Sequence, residues 1–175
     1  MRLGKLTNGI ANEWEMQTAF SLFLDEKNKA EYKLAERYKF AMGMYKYKPR
    51  YLIYKDEVRV REVHRIADFL IVKGGRLINV EAKCTDWACL FKQLEDHATY
   101  CNYCFAYIPD YAPTPVWFKK KLVDKGYGLI IYNYKSGKVT EVLEAHQNKV
   151  NNKELRKQMI QTIRTPKKRK SARRA

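Results

Sequence analysis

The sequence lacks three features that would each place it in a broad class. It has no apolar run near the roughly 20 residues that a membrane-spanning helix needs, and its amino terminus lacks the basic-then-apolar pattern of a secretory signal. It also contains no Gly-rich phosphate loop, no Ser/His/Asp arrangement and no paired histidines of the HNH kind. These absences predict a cytoplasmic protein without a membrane partner and disfavour several common catalytic motifs.

Cysteine is scarce, with four residues in 175. Cys101 and Cys104 have the internal spacing of a zinc site. However, the segment 101–108 is typical of a strand, in which these two thiols would face opposite ways. Ordinary buried or half-buried thiols are therefore favoured over a structural metal, and the same holds for Cys84 and Cys89.

Acidic residues are outnumbered by basic ones, 19 against 35, which gives a net charge of +16 and an isoelectric point near 9.7. Seven of the basic residues lie in the last twelve positions, and the rest of the chain stays basic without them. Lys and Arg supply most non-specific affinity for phosphate backbones. The charge therefore predicts a nucleic-acid partner, with an anionic membrane less favoured.

Length and composition predict one folded domain over 1–163 and a basic disordered tail over 164–175. The 46% hydrophobic and 13% aromatic content is typical of a globule with its own core. Helices are predicted at about 10–27, 32–44, 86–100, 116–125 and 151–163. Strands are predicted at 51–54, 58–60, 66–73, 76–83, 104–108, 128–134 and 138–142.

Tyrosines and basic residues alternate between positions 38 and 61. Cations that meet phosphates, with aromatic rings between them that stack on bases, suit a nucleic-acid surface. An amphipathic helix and strand with snorkelling lysines explains the same pattern. The sequence does not choose between the two.

The most informative segment is the predicted hairpin 66–83, which is centred on Gly74-Gly75. That dipeptide favours a two-residue type I′ turn, and the resulting register places Asp68 directly opposite Glu81. Like charges at facing positions, with Cβ atoms about 5 Å apart, destabilise a sheet. A divalent cation between the two carboxylates would reverse this effect.

Alternation of side chains divides this hairpin into two faces. One is apolar throughout and is predicted to lie on the core: Ala67, Phe69, Ile71, Ile78, Val80 and Ala82. The other carries Asp68, Glu81 and Lys83 beside Leu70, Val72, Leu77 and Asn79. All the candidate chemistry is therefore predicted on one side. A plainer interpretation makes the charges surface salt bridges, Asp68 with Lys83 and Glu81 with Arg65 or Arg76.

Two predicted helices supply further polar residues. The helix at 10–27 has apolar residues at spacings of 3, 4 and 7 and places Glu13 and Gln17 at the border of its apolar stripe. Glu13 either belongs to a site or is a solvated first-turn glutamate that complements the helix dipole. The helix after Asp86 carries Gln93, which either contributes to the same site or is simply exposed.

Asp68, the triplet Glu81-Ala82-Lys83 on the adjoining strand, and the next helix with Gln93 resemble the PD-(D/E)XK nuclease superfamily. The likeness extends to 65–68, to the strand 103–109 that ends in proline, and to 126–131. Over about 11–145 the chain looks similar to the small single-domain members called MmcB-like, a nuclease group assigned to DNA repair. Ala67 stands where many members have proline, and His97 stands where related sequences often have tyrosine.

The resemblance implies an α/β fold of the restriction-endonuclease type, with a mixed central sheet flanked by helices. It implies a divalent-metal-dependent DNA nuclease, most simply an endonuclease of repair, recombination or phage DNA processing, with Mg²⁺ or Mn²⁺ as cofactor. Dimerisation is common in this fold, so a homodimer is compatible with it. Two alternatives stay open: a non-catalytic nucleic-acid-binding protein on the same fold, and cleavage of RNA instead of DNA.

The resemblance also implies roles for individual residues. Lys83 would orient or activate the nucleophilic water and offset charge on the phosphate, and Gln93 would orient water or touch phosphate. The residues implied in catalysis are Asp68, Glu81, Lys83, Gln93 and Glu13. Those implied in metal binding are Asp68, Glu81, the Ala82 carbonyl and Glu13.

Overall fold

The computed structural model describes residues 12–42 and 52–165. A six-stranded sheet lies at its centre, with the strands side by side in chain order. They are β1 (Ile53–Val60), β2 (Arg65–Lys73), β3 (Arg76–Ala82), β4 (Tyr103–Pro109), β5 (Gly128–Asn133) and β6 (Lys138–Leu143). β3, β4 and β5 run parallel, and the remaining pairings are antiparallel. The described helices are α1 (Glu13–Met42), α2 (Trp87–Ala98), α3 (Val116–Lys125) and α4 (Lys153–Arg164).

Helices cover both faces of the sheet. On one face, Met16, Phe20 and Leu24 of α1 pack against Phe69 and Tyr107. On the other, α2, α3 and α4 bury their apolar stripes against a second cluster of sheet residues. Burial on both faces is what the parallel centre of such a sheet requires. The predicted α/β class, a mixed sheet between helices in one domain, is confirmed.

The helix pattern departs from the predicted one at the amino-terminal side. The helices expected at 10–27 and 32–44 form one continuous helix, α1, and the two short strands expected at 51–54 and 58–60 form the single strand β1. The stretches that join the predicted elements, 28–31 and 55–57, contain neither glycine nor proline to interrupt a helix or a strand. In the described ranges, no helix combines the length and the apolar character needed to cross a membrane.

Two predicted surfaces fall largely outside the described residues. The tail is described only to Thr165, and Arg164 is the last residue of α4 rather than the first of the tail. The segment that alternates tyrosine with basic residues is interrupted between 43 and 51. Both stay predictions.

The β2–β3 hairpin has the predicted turn and register. Gly74 and Gly75 have φ of 57° and 78°, the positive values that a type I′ turn requires. Lys73 pairs with Arg76, and the ladder continues to Phe69 opposite Val80. It ends there, so that Asp68 and the residue facing it by the same count, Glu81, stand just beyond the last pair.

Side-chain alternation along β2 is broken at Asp68. Phe69 packs under α1 as predicted, but Ala67 lies in the opposite cluster together with Val58. On β1, Glu57 stands between the partners of Ala67 and Phe69 and has a left-handed φ of 48°. At this irregularity Asp68 and Phe69 both project toward α1. The predicted position of Ala67 on the Phe69 face is therefore wrong.

The thiols of Cys101 and Cys104 are buried side by side and share a hydrogen bond. The prediction that they face opposite ways is wrong, because β4 begins at Tyr103 and Cys101 belongs to the preceding turn. Burial raises the pKa of the Cys101 thiol well above its ordinary value. Both behave as small apolar core residues.

Candidate active site

Asp68 lies on the α1 side of the sheet at the point where β2 and β3 stop pairing. Its Oδ2 accepts a hydrogen bond from the Ala82 N–H at 2.8 Å, and its Oδ1 accepts one from Gln17 Nε2 at 3.3 Å. Burial, then the neighbouring charge of Glu81, raises the pKa of Asp68 to about 7, against a lowering by the Ala82 N–H. This carboxyl group is therefore poised between its neutral and ionised forms at neutral pH.

Lys83 and Glu13 form an ion pair next to Asp68. Lys83 directly follows β3, where its N–H donates to the Tyr107 carbonyl at 3.0 Å. Its Nζ lies 3.2 Å from Glu13 Oε1. Because Glu13 is the first residue of α1 and Gln17 follows one turn later, the start of this helix brings both polar side chains over the end of the hairpin.

Glu81 projects to the other face of the sheet, toward α2. It is fully buried, and its Oε1 accepts a hydrogen bond from Asn79 Nδ2 at 2.7 Å and lies 3.1 Å from His97 Nε2. The other ring nitrogen of His97 shares a hydrogen bond with the Tyr100 hydroxyl. Asp68 and Glu81 were predicted on one face. That prediction is wrong, because the break in alternation turns Asp68 toward α1.

The plainer interpretation of the charges as surface salt bridges does not hold either. Lys83 pairs with Glu13 rather than Asp68. Arg65 Nε pairs with Asp96 at 2.8 Å, and Arg76 donates to the Tyr103 hydroxyl at 2.8 Å. Both arginines expected to neutralise Glu81 therefore have other partners.

Sequence reasoning did not identify Asn79 and His97 as partners of Glu81. A signal was available, because His97 follows Leu90 and Leu94 on the buried side of α2, where a polar side chain needs a partner. Asn79 precedes Glu81 by two positions and so shares its face of β3. To identify either residue as a partner of Glu81, however, one must know which face of the sheet α2 covers.

Gln93 lies one turn after Cys89 on α2. Its Oε1 is 3.8 Å from the Cys89 Sγ, its hydrogen-bond partner within the described residues. Cys89 is close enough to Lys83 to influence the pKa of that lysine. The structure thus places Gln93 at the border of the site without joining it directly to the acids.

Asp68 fits Mg²⁺ bound through one carboxylate, because Glu81 projects to the other face of the sheet. Among the described residues, no three His, Cys, Asp or Glu side chains are grouped to hold a metal. Mg²⁺ does not need such a group, because it commonly binds through one or two carboxylates and completes its shell with water and phosphate. Glu81 Oε2 is buried without a hydrogen-bond partner in the described part of the chain. A cation would also relieve the repulsion that contributes to the raised pKa of Asp68.

Ala82 and Glu13 were the further predicted ligands. Ala82 gives its N–H to Asp68, which leaves its carbonyl a predicted ligand. Glu13 is engaged by Lys83 and so serves first as the partner of a cationic side chain.

Comparisons with known proteins give a distant similarity to a solved structure. No protein-family profile matches the chain, and no curated protein matches it. A solved structure, the SPO1766 protein of unknown function from Silicibacter pomeroyi, is similar at 20% sequence identity with a TM-score of 0.49. The similarity covers 64% of this chain and 71% of that one.

Proposed function

We propose that the protein is a divalent-metal-dependent DNA nuclease that hydrolyses phosphodiester bonds, most simply an endonuclease. The observation that carries the proposal is the grouping of the half-buried Asp68 with the Lys83–Glu13 ion pair at one strand end, where burial raises the pKa of Asp68. Perturbed carboxyl groups next to a cation are typical of sites that bind metals or perform acid–base chemistry.

Asp68 would hold the metal, which when bound would polarise the phosphate and make a water nucleophilic. Glu81, on the other face, would contribute its negative charge close to Asp68. Lys83 would act as a charged donor. Partial burial lowers the pKa of Lys83, but the hydrogen bond and charge of Glu13 raise it overall. A lysine that stays protonated stabilises charge on the phosphate oxygens and does not remove a proton from water.

His97 and Asn79 would act as positioning residues. Asn79 Nδ2 donates to Oε1 of Glu81, and His97 Nε2 lies 3.1 Å from the same oxygen, so both favour one orientation of the carboxylate. This arrangement supports a role for the fully buried Glu81 as a fixed negative charge close to Asp68.

The net charge of +16 supports DNA as the substrate, and RNA is the alternative polyanion. We place the activity in the cytoplasm, in repair, recombination or phage DNA processing, with a homodimer compatible with the fold. The same charge would serve a non-catalytic nucleic-acid-binding protein, which is the second candidate.

The test is cleavage of supercoiled, linear and branched DNA, and of RNA, by the full chain with Mg²⁺, Mn²⁺ or EDTA. Asp68→Asn and Glu81→Gln keep the size of each side chain and remove its charge. Asp124→Asn, on the exposed side of α3, is the matched control. We expect metal-dependent cleavage that both site variants lose and the control retains.

Binding of every substrate without cleavage would overturn the nuclease and favour the binding protein. Cleavage that survives in both site variants would place the activity elsewhere in the chain. Cleavage confined to RNA would keep the chemistry and change the substrate.

A further inference from the structure

A basic cleft opens at the end of the β1–β2 hairpin, where a short 3-10 turn (Arg61–Val63) joins the strands. Its volume is about 570 Å³. It is lined by Arg59, Val60, Arg61, His64, Arg65 and Ile66. Four of these six residues carry a cationic or titratable side chain, so the cleft attracts anions.

Two of the arginines in this basic cleft are available to a ligand. Arg65 is occupied by Asp96 at 2.8 Å. Arg59 and Arg61 are exposed, and within the described ranges neither forms an ion pair with an acid, including Glu62 of the turn. Unpaired guanidinium groups bind phosphate oxygens through two parallel hydrogen bonds.

The basic cleft lies at the same end of β2 as Asp68 and reaches the α1 side of the sheet through Arg59 and Ile66. Val58, Val60 and Ala67 are buried toward the helices opposite α1, so Arg59 and its cross-strand partner Ile66 project to the α1 side. Asp68 projects to that side as well. Ile66 and Asp68 are two residues apart, a distance of about 7 Å along a strand.

The basic cleft and Asp68 lie in line along β2. A strand with one phosphate at Asp68 can therefore continue into the basic cleft, where further phosphates meet Arg59 and Arg61. Ile66, with 47% of its surface exposed, offers an apolar contact for a sugar between the charged groups. A single free phosphate would not need this alignment.

We infer that the basic cleft binds the sugar-phosphate backbone of the polynucleotide strand whose phosphodiester bond is presented to Asp68. The inference rests on the proposed function, because it takes the reacting phosphate to lie at Asp68. The ligand is a phosphodiester chain, of DNA or of RNA, recognised through its backbone rather than its bases.

Binding without metal tests this inference separately from cleavage. The affinity of the full chain for fluorescein-labelled DNA and RNA oligonucleotides is measured in EDTA by anisotropy over a range of salt. The double variant Arg59→Ala/Arg61→Ala is compared with Lys119→Ala/Lys120→Ala. The control removes the same charge from exposed positions of α3, which packs beside β5, three strands from β2.

We expect the arginine variant to bind about tenfold more weakly at moderate salt. Its slope of log K against log salt should be shallower by about 1.4 for a single strand, because two phosphate contacts are lost. The lysine control should change affinity less than about threefold. A loss shared equally by DNA and RNA indicates backbone recognition, and a loss confined to one of them names the substrate.

Equal affinities for the arginine and lysine variants would overturn the inference, as would failure of the full chain to bind in EDTA. Cleavage decides the proposed function independently of these results. If the arginine variant binds more weakly but the wild type does not cleave, the inference about the basic cleft stands and the proposed nuclease activity is rejected. If the wild type cleaves but the arginine variant binds normally, the nuclease activity stands and the inference about the basic cleft is rejected.

A measurement on the wild type removes any dependence on folding of the variant. Arginine-specific modification by phenylglyoxal, mapped by mass spectrometry, should be slowed at Arg59 and Arg61 by a saturating oligonucleotide. Arg76, which is bound to the Tyr103 hydroxyl in the β2–β3 turn region, serves as the internal reference. Equal modification of Arg59 and Arg61 with and without oligonucleotide would contradict the inference.

Discussion

The two acids of the β2–β3 hairpin occupy contrasting environments although they face each other in sequence register. Asp68 is half-buried on the α1 side and is held by one backbone N–H and the amide of Gln17. Glu81 is fully buried on the α2 side, between Asn79 and His97.

The difference concerns how each negative charge is stabilised. Glu81 has partners fixed by the core, and two of them share one carboxylate oxygen. Asp68 has two neutral donors and a nearby like charge, which leaves its pKa near 7. A proton or a cation can therefore bind at Asp68 with little reorganisation, whereas Glu81 is a rigid part of the scaffold.

The largest expected effect comes from a change on the α1 side of the sheet, where Asp68 and Lys83 lie. Lys83→Ala should lower the rate of cleavage by about 10²-fold or more, since it removes a charge aimed at the phosphate. Its ion pair with Glu13 is partly exposed, so the free energy of unfolding should fall by less than about 1 kcal/mol. Single-turnover cleavage and urea unfolding measure the two effects. Lys92→Ala, which breaks the exposed pair with Asp96, is the control, and cleavage by Lys83→Ala at the control rate would contradict the prediction.

The second prediction concerns the α2 side of the sheet, where Glu81 is buried. His97→Leu leaves the buried Glu81 without its ring partner and should lower the free energy of unfolding by about 2–4 kcal/mol. Glu13→Ala, on the α1 side, should lower the free energy of unfolding by less than about 1 kcal/mol. Urea unfolding at one pH compares the two variants directly.

A second substitution shows whether His97→Leu loses stability through the lost partner of Glu81 or through poorer packing. The double variant Glu81→Met/His97→Leu removes the charge together with its partner and should recover most of the stability lost in His97→Leu. If the double variant is less stable than His97→Leu, the buried pair does not explain the cost.

The smallest expected effect is the pH dependence of stability that Asp68 contributes. Its pKa is raised on folding, so the folded chain binds a proton more tightly than the unfolded chain. The contribution of Asp68 to stability should therefore decrease as pH rises from about 4 to about 7, and the cost of ionisation is complete above that range. Asp68→Asn removes this cost but also weakens one hydrogen bond. It should be more stable than wild type by about 1 kcal/mol at pH 8 and no more stable at pH 5.

Urea unfolding in EDTA at both pH values measures this difference, with Asp124→Asn as an exposed control. Adding Mg²⁺ at pH 8 should stabilise the wild type and not Asp68→Asn, because a ligand that binds only the folded state adds to its stability. A constant difference between variant and wild type at both pH values would show that Asp68 does not titrate as described.

Much of the fold could be predicted from local signals. Gly74-Gly75 predicted both the turn and the register, and α3 has the predicted bounds. Asp86 was predicted to cap α2, and its carboxylate accepts from the Cys89 N–H at 2.9 Å. Each of these depends on neighbours within a few residues, where steric limits and hydrogen bonds of the chain itself decide the outcome.

The candidate site was harder to predict because its side chains are directed by distant residues. Sequence spacing placed Asp68 opposite Glu81, but Asp68 projects to the other face at an irregularity where Glu57 of the neighbouring strand has a left-handed φ. Gln17, the partner of Asp68, lies 51 positions away in the chain.

The sequence by itself determined which residues meet at the end of the hairpin: the type I′ turn and the period of two leave one register for Asp68, Glu81 and Lys83. Only the tertiary structure decided which of them is fully buried and which stays partly exposed. That choice depends on α1 covering one face and α2 the other, and on the packing of His97 of α2 against Glu81. Burial and pairing free energies of this kind arise only when separate elements pack together, and no local pattern contains them.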